Sequence, residues 1–181
     1  LTEDEIAPEM VTCYAIGKIT AEYMCKCIAA ELGINLCWAY ISNFYGADDP
    51  TNNFINFLLD NYLNGETPTL TPAEQLADFA YVTDIAEGLI CACERGKSNT
   101  SYYIGYGSPR PLKEFISEVR DIVNPKLDSG IGRKKFNGRN VDFTKIDVEK
   151  LGRDTGYKAQ VTFGEGIRKL IEYRKYNGEI Q

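Results

Sequence analysis

The sequence predicts an α/β fold, and three observations carry that expectation. Segments of strand character alternate with segments of helical period along nearly the whole chain, and such alternation builds a sheet covered by helices. One strand candidate, residues 34–41 (I-N-L-C-W-A-Y-I), is mostly apolar and follows a helix at once. That pattern suggests a central parallel strand, buried on both faces. The 181 residues are 44% hydrophobic and 25% charged, the composition of a globular chain with one ordinary domain or two small ones.

The elements follow in order. Residues 1–8 are acidic and irregular. A helix pattern runs over 10–32, with Ile19, Tyr23, Met24 and Cys27 on one side and Gly33 as its stop. After the strand at 34–41, turn-forming residues at 45–50 lead into a helix over 52–64. That helix carries Phe54, Phe57, Leu58 and Leu63 and ends at Gly65. Short strands are expected at 69–71 and 78–82. Thr83 and Asp84 are candidate caps for a helix that runs to Arg95 and stops at Gly96. Residues 101–105 read as a strand. Leu112, Phe115, Ile116, Val119, Ile122 and Val123 give a clear helical period that ends at Asn124-Pro125. Residues 126–141, rich in Gly, Lys and Arg, read as a loop, and 148–155 as a short helix. Thr162-Phe163-Gly164-Glu165 has the form of a capping box before a last helix to about Tyr176. The chain shows no internal repeat and no low-complexity tract.

Charge and residue usage exclude several classes of function. With 20 basic and 26 acidic residues the net charge is −6, which argues against nucleic acid as a partner. The apolar runs fall well short of the ~20 residues of a membrane span. The sequence contains no histidine, so serine–histidine and cysteine–histidine catalysis and histidine-bound metal are excluded within it. Cys13, Cys25, Cys27, Cys37, Cys91 and Cys93 form no C-x-x-C pair. Two C-x-C pairs fall in helical segments, where residues two apart do not share a face. The cysteines therefore read as buried, reduced, structural residues of a cytoplasmic protein, with no metal site.

The sharpest chemical feature is Tyr14-Ala15-Ile16-Gly17-Lys18. Residues i and i+4 share a helix face, so the phenol and the ammonium stand side by side. A free tyrosine, with a pKa near 10, is a poor base at neutral pH, and an adjacent cation favours its phenolate. The pair can then move a proton to or from a substrate hydroxyl. Taken alone, Y-x-x-x-K also suits an ordinary solvated helix face.

The surrounding residues add to this. An acidic, proline-containing segment (Glu3-Asp4-Glu5-Ile6-Ala7-Pro8-Glu9) precedes the motif, and Glu22 lies four residues beyond Lys18. Asn43-Phe44-Tyr45-Gly46-Ala47 follows the next strand. Leu70-Thr71-Pro72-Ala73-Glu74-Gln75-Leu76-Ala77-Asp78-Phe79-Ala80-Tyr81-Val82-Thr83-Asp84-Ile85-Ala86 comes after, and a leucine–glycine helix, turn and final E-G-I helix occupy 147–171. These four blocks, in this order, resemble the extended short-chain dehydrogenases/reductases, and most closely the nucleotide-sugar epimerases, dehydratases and reductases. The resemblance implies the second part of a Rossmann-type doubly wound sheet plus a small α/β substrate-binding domain. Residues 1–46 would then belong to the NAD(P)-binding part and 47–181 mainly to the substrate-binding part, with 101–107 returning to the Rossmann sheet.

It also implies roles. Tyr14 would transfer the proton, and Lys18 would bind the nicotinamide ribose of NAD or NADP and tune Tyr14. Tyr40, Ile41 and Asn43 would lie by the nicotinamide. Asn43 would also face a nucleotide-linked sugar, with Asn52 or Asn53 on the nucleotide. Arg139 would pair with a phosphate or remain a solvated loop charge. Asn43, Asn53 and Arg139 are expected to converge on one cleft. The long first helix, with Ile16, Ile28 and Ala29 on a second apolar side, would join a homodimer.

Departures from the family pattern are specific. Ala77 stands where the family has arginine, Thr83 where it has aspartate, Gly17 where serine is common, and Ala47 where it has proline. The catalytic serine or threonine of the family precedes its tyrosine by more residues than this sequence has upstream, and Thr12 is too close to serve. No dinucleotide fingerprint occurs; Gly105-Tyr106-Gly107-Ser108-Pro109-Arg110 reads as an ordinary strand-to-helix turn. The chain is thus expected to be a fragment, inactive and at best weakly NAD(P)-binding by itself. The alternative to an enzyme is a non-catalytic nucleotide-sugar or NAD(P)-binding regulatory protein of the same fold.

Overall fold

The long first helix forms as α1 (Cys13–Leu32) in a computed structural model that describes residues 13–136 and 141–178. Gly33, at φ 64°, takes the left-handed turn that ends it. The inward stripe of α1 is Ala15, Ile19, Glu22, Lys26 and Ala29, spaced by four and three, with Glu22 and Ala29 buried. This corrects the expected face. Tyr23 and Met24 look outward, Met24 being 59% exposed, because the inward stripe is centred on a polar pair that finds partners across the interface. Ala29, expected on an outer apolar side with Ile16 and Ile28, faces inward instead.

Strand β1 (Cys37–Ile41) is shorter than the apolar run suggested and pairs in parallel with β5 (Thr100–Ile104), from Cys37↔Thr100 to Ile41↔Ile104. Its residues are half-buried or exposed rather than buried on both faces, since β5 is its one hydrogen-bonded neighbour among the described residues. Strand β2 (Asn43–Tyr45) pairs in parallel with β4 (Phe79–Tyr81), and β3 (Leu76–Ala77) pairs antiparallel with β6 (Arg110–Pro111). No strand forms at residues 69–71. The Leu70 N–H donates to the Gly130 carbonyl at 3.0 Å and the Leu70 carbonyl accepts from Lys134 N at 2.9 Å, so a loop rather than a strand satisfies this backbone.

Helix α2 (Phe54–Leu63) starts at Asn53, whose side chain accepts from Asn56 N at 2.9 Å. Helix α3 (Val82–Arg95) starts ahead of the expected caps, at Tyr81, with no side-chain cap bond. Asp84 is turned inward and accepts from the N–H groups of Gln160 and Val161 at 3.1 and 2.9 Å. Helix α4 (Leu112–Val123) follows its period, and a 3₁₀ turn (Phe143–Lys145) precedes α5 (Lys150–Thr155). Helix α6 (Phe163–Tyr176) carries the complete capping box between Thr162 and Glu165.

Two apolar clusters form around these elements. The first gathers Tyr45, Ile55, Leu58, Phe79, Phe115 and Phe163, with the Phe115 and Phe163 rings 4.8 Å apart at their centroids. The second gathers Ala80, Ile85, Ala92, Tyr102, Ile104 and Leu151, joined by Cys37 and Ala39. Strand β4 serves both, because its side chains alternate: Phe79 and Tyr81 enter the first and Ala80 the second. The cysteines depart from expectation. All six are free, but only Cys91 is buried, while Cys13, Cys25, Cys27 and Cys93 lie on outward helix faces.

Candidate functional site

Tyr14 and Lys18 stand one turn apart on the first half of α1, both exposed, Tyr14 to 75%. Tyr40 and Ile41 end β1 and are also exposed. Ligands of open α/β sheets bind outside the carboxyl ends of parallel strands. Tyr40 and Ile41 lie at such an end, next to β5.

Glu22 sits on α1 one turn beyond Lys18 and is buried between the helix and the strands. Its Oε1 accepts from Lys26 Nζ at 2.5 Å and from Ser101 Oγ at 3.0 Å, and its Oε2 accepts from the Tyr40 hydroxyl. Burial pushes the Glu22 carboxyl up, but hydrogen bonds from Lys26, Tyr40 and Ser101 together outweigh it and leave the group below its ordinary value. The Tyr40 phenol is pushed up by burial and by its bond to the Glu22 carboxylate.

Asn43 begins β2 and lines a cavity of about 250 Å³ with Asn53, Ser42, Phe44, Phe54, Ile55 and Phe79. The seven lining side chains are uncharged. Asn53 also donates from Nδ2 to Asp49 Oδ2 at 2.6 Å. Asn52 lines a different cavity, of about 400 Å³, with Asp49, Asp60 and Arg174. The geometry therefore groups Asn53, and not Asn52, with Asn43. Arg139 lies outside the described residues. Ala77 is buried, and its cross-strand partner Arg110 lies over the Phe115 ring at 3.9 Å and pairs with Glu118. A larger cavity, about 910 Å³, lies beside Arg110, Lys113, Glu118 and Arg168 and contains none of the expected site residues.

Sequence reasoning missed another buried carboxylate. Asp78 Oδ2 accepts from the Tyr103 hydroxyl at 2.8 Å and from Gly107 N at 3.0 Å, and its buried Oδ1 has no hydrogen-bond partner. The glycine at 105 makes room for it: a Cβ there would stand 2.3 Å from Asp78 Oδ2. The available signal was Asp78 itself, a charged residue in an otherwise apolar strand pattern. Gly107 is thereby engaged within the fold, in a turn between β5 and β6. Among the described residues no group of three or more Cys, Asp or Glu could hold a metal ion, and no helix is long and apolar enough to cross a membrane.

Residues 2–105 match the family model described as the NAD dependent epimerase/dehydratase family. The dTDP-glucose 4,6-dehydratase 1 of Escherichia coli K12 is 26% identical over 171 residues, which cover 88% of this chain and 46% of that protein. Among solved structures, the dTDP-glucose 4,6-dehydratase of Bacillus anthracis in complex with NAD superposes with a TM-score of 0.79 at 19% identity, covering 93% of this chain and 54% of that one. The UDP-glucose 4-epimerase of Thermotoga maritima with UDP-glucose gives 0.77 at 22% identity, covering 94% and 55%. The chain spans about half the length of the relatives it matches. The fold is α/β and of the Rossmann type shared by these structures, as the order of the sequence blocks implied.

Proposed function

Because the chain belongs to the NAD dependent epimerase/dehydratase family, we propose that it contributes the proton-transfer pair and part of the sugar pocket of an NAD(P)-dependent nucleotide-sugar epimerase, dehydratase or reductase. The observation that carries this reading is the Tyr14–Lys18 pair, exposed on one face of α1. Exposure leaves both groups free to face a ligand, and a phenol beside an ammonium is the donor set that a ribose and a reacting hydroxyl require. NAD or NADP, when bound, supplies the hydride acceptor and donor. Lys18 would hydrogen-bond the ribose, one helical turn from the Tyr14 hydroxyl. Tyr14 takes the proton from the sugar hydroxyl as that carbon is oxidised and returns one on reduction. Tyr40 and Ile41 flank the nicotinamide at the end of β1. Asn43 and Asn53 offer amide groups to the nucleotide-linked sugar, and the aromatic walls of their cavity suit an uncharged ring. The phosphate charge falls to Arg139. In this reading the cluster around β1 and β5 belongs to the cofactor part, and the cluster around Phe79 and Phe115 to the substrate part.

The test is turnover by the full-length protein with dTDP-glucose and UDP-glucose, each with NAD⁺ and NADP⁺, followed by product chromatography. Conversion of either sugar supports the enzyme. The buried Ala77, in place of an arginine, favours one second reading, a regulatory protein that binds the same ligands without converting them. Tight binding of nucleotide sugar without product would establish that reading and overturn the first.

A further inference from the structure

Of the 20 residues of α1, only Glu22 and Ala29 are buried. Among the described residues the helix therefore has little apolar grip on the other elements. Among the described residues, the side-chain hydrogen bonds that tie it to β1 and β5 all run through Glu22 and Lys26. Tyr40 of β1 donates to Glu22 Oε2, Ser101 of β5 donates to Glu22 Oε1 at 3.0 Å, and Lys26 Nζ donates to both Glu22 Oε1 and Ser101 Oγ, at 2.5 and 3.0 Å. One carboxylate thus joins three elements. A buried carboxylate with three donors is directional, because each donor, on a different side chain, occupies its own acceptor site. It fixes the height and rotation of the helix against the strands in a way that apolar contact does not.

Lys18, Glu22 and Lys26 follow at intervals of four, so the clamp lies on the same helical row as Lys18, one turn away, and Tyr14 is one turn further. The same carboxylate holds the hydroxyl of Tyr40, at the strand end assigned above to the nicotinamide. We propose that Glu22 is a positioning residue: its ionised carboxylate locks α1 to the β1–β5 pair and thereby sets where Tyr14 and Lys18 stand relative to Tyr40. The consequence for turnover rests on the Tyr14–Lys18 reading, whereas the lock itself does not.

The test uses the full-length protein and the variants Glu22→Gln, Tyr40→Phe and their combination, with Ser101→Ala as a milder variant should Glu22→Gln fold poorly. Amide hydrogen exchange is followed in α1, with α4 as the internal control. Glu22→Gln is expected to speed exchange in α1 at least 10-fold while α4 is unchanged. Tyr40→Phe gives a smaller increase, and the double variant falls short of the two single effects added, because both substitutions act on the same Glu22–Tyr40 bond. Ser101→Ala gives a graded increase confined to α1. Turnover of whichever of dTDP-glucose and UDP-glucose the protein converts is expected to lose 10-fold or more in kcat, with KM within about two-fold. Unchanged α1 exchange, or equal acceleration in α1 and α4, overturns the lock. Faster α1 exchange with wild-type kcat leaves the lock standing and overturns the role given to Tyr14 and Lys18.

Discussion

Asn53 has two tasks in one side chain. Its Oδ1 accepts the Asn56 N–H at the start of α2, and the same residue lines the cavity that Asn43 also lines. Asn43, an exposed strand residue, has no capping task. Asn43→Ala is therefore expected to weaken nucleotide-sugar binding by about 1–2 kcal/mol with unchanged melting, whereas Asn53→Ala also lowers stability by about 1 kcal/mol through the lost cap. Calorimetric titration and thermal melting on the two variants check this. Glu22 predicts a pH effect. Its carboxyl is held below the ordinary glutamate value of about 4.3. Its stabilising contribution is then fully present above that value and is lost as pH falls through the lower folded-state value. Acid melting curves below about pH 4.3 should flatten in Glu22→Gln relative to wild type; identical acid limbs would contradict the assignment. At this scale the sequence was legible where spacing on one helix decides placement: Tyr14 and Lys18 stand one turn apart on α1, as their spacing predicted. Contacts over long sequence separation, such as Glu22 with Ser101 and Asp78 with Tyr103, were not.

The elements with strong local signals form where they were expected. The capping box at Thr162 is complete, with Thr162 N donating to Glu165 Oε2 at 2.9 Å, and the period of α4 ends at Asn124. Thr162→Ala should cost about 1 kcal/mol of stability, read as a shift in urea midpoint with unchanged slope; a shift of zero would mean that the cap is redundant. Elements whose form depends on a distant partner were read less well. Residues 69–71 have strand-like composition, but the backbone that meets Leu70 belongs to a glycine-rich loop. Asp84 has the sequence position of a cap, but the Gln160–Val161 backbone draws it inward. The apolar residues Tyr23 and Met24 suggested the inner face of α1, whereas a charged residue holds that face.

Across the whole molecule, the outer side of α1 presents Ile16, Tyr23, Met24, Ile28 and Leu32 to solvent. An apolar stripe of this kind is suited to association, and the full-length protein is expected to be a homodimer through α1. Light scattering across micromolar concentrations checks this, and a monomer throughout would contradict it. The order of motif blocks made the α/β class and the family legible, because each block spans residues close in sequence. The two-cluster core was not legible, since β4 feeds both clusters through alternate side chains. The central claim, that Tyr14 moves the proton, is tested most directly by kcat of Tyr14→Phe in the full-length protein, measured beside its NAD(P) affinity. We expect a fall of about 100- to 10,000-fold in kcat with cofactor affinity nearly unchanged, because the substitution removes one hydroxyl. Turnover at the wild-type rate would contradict it.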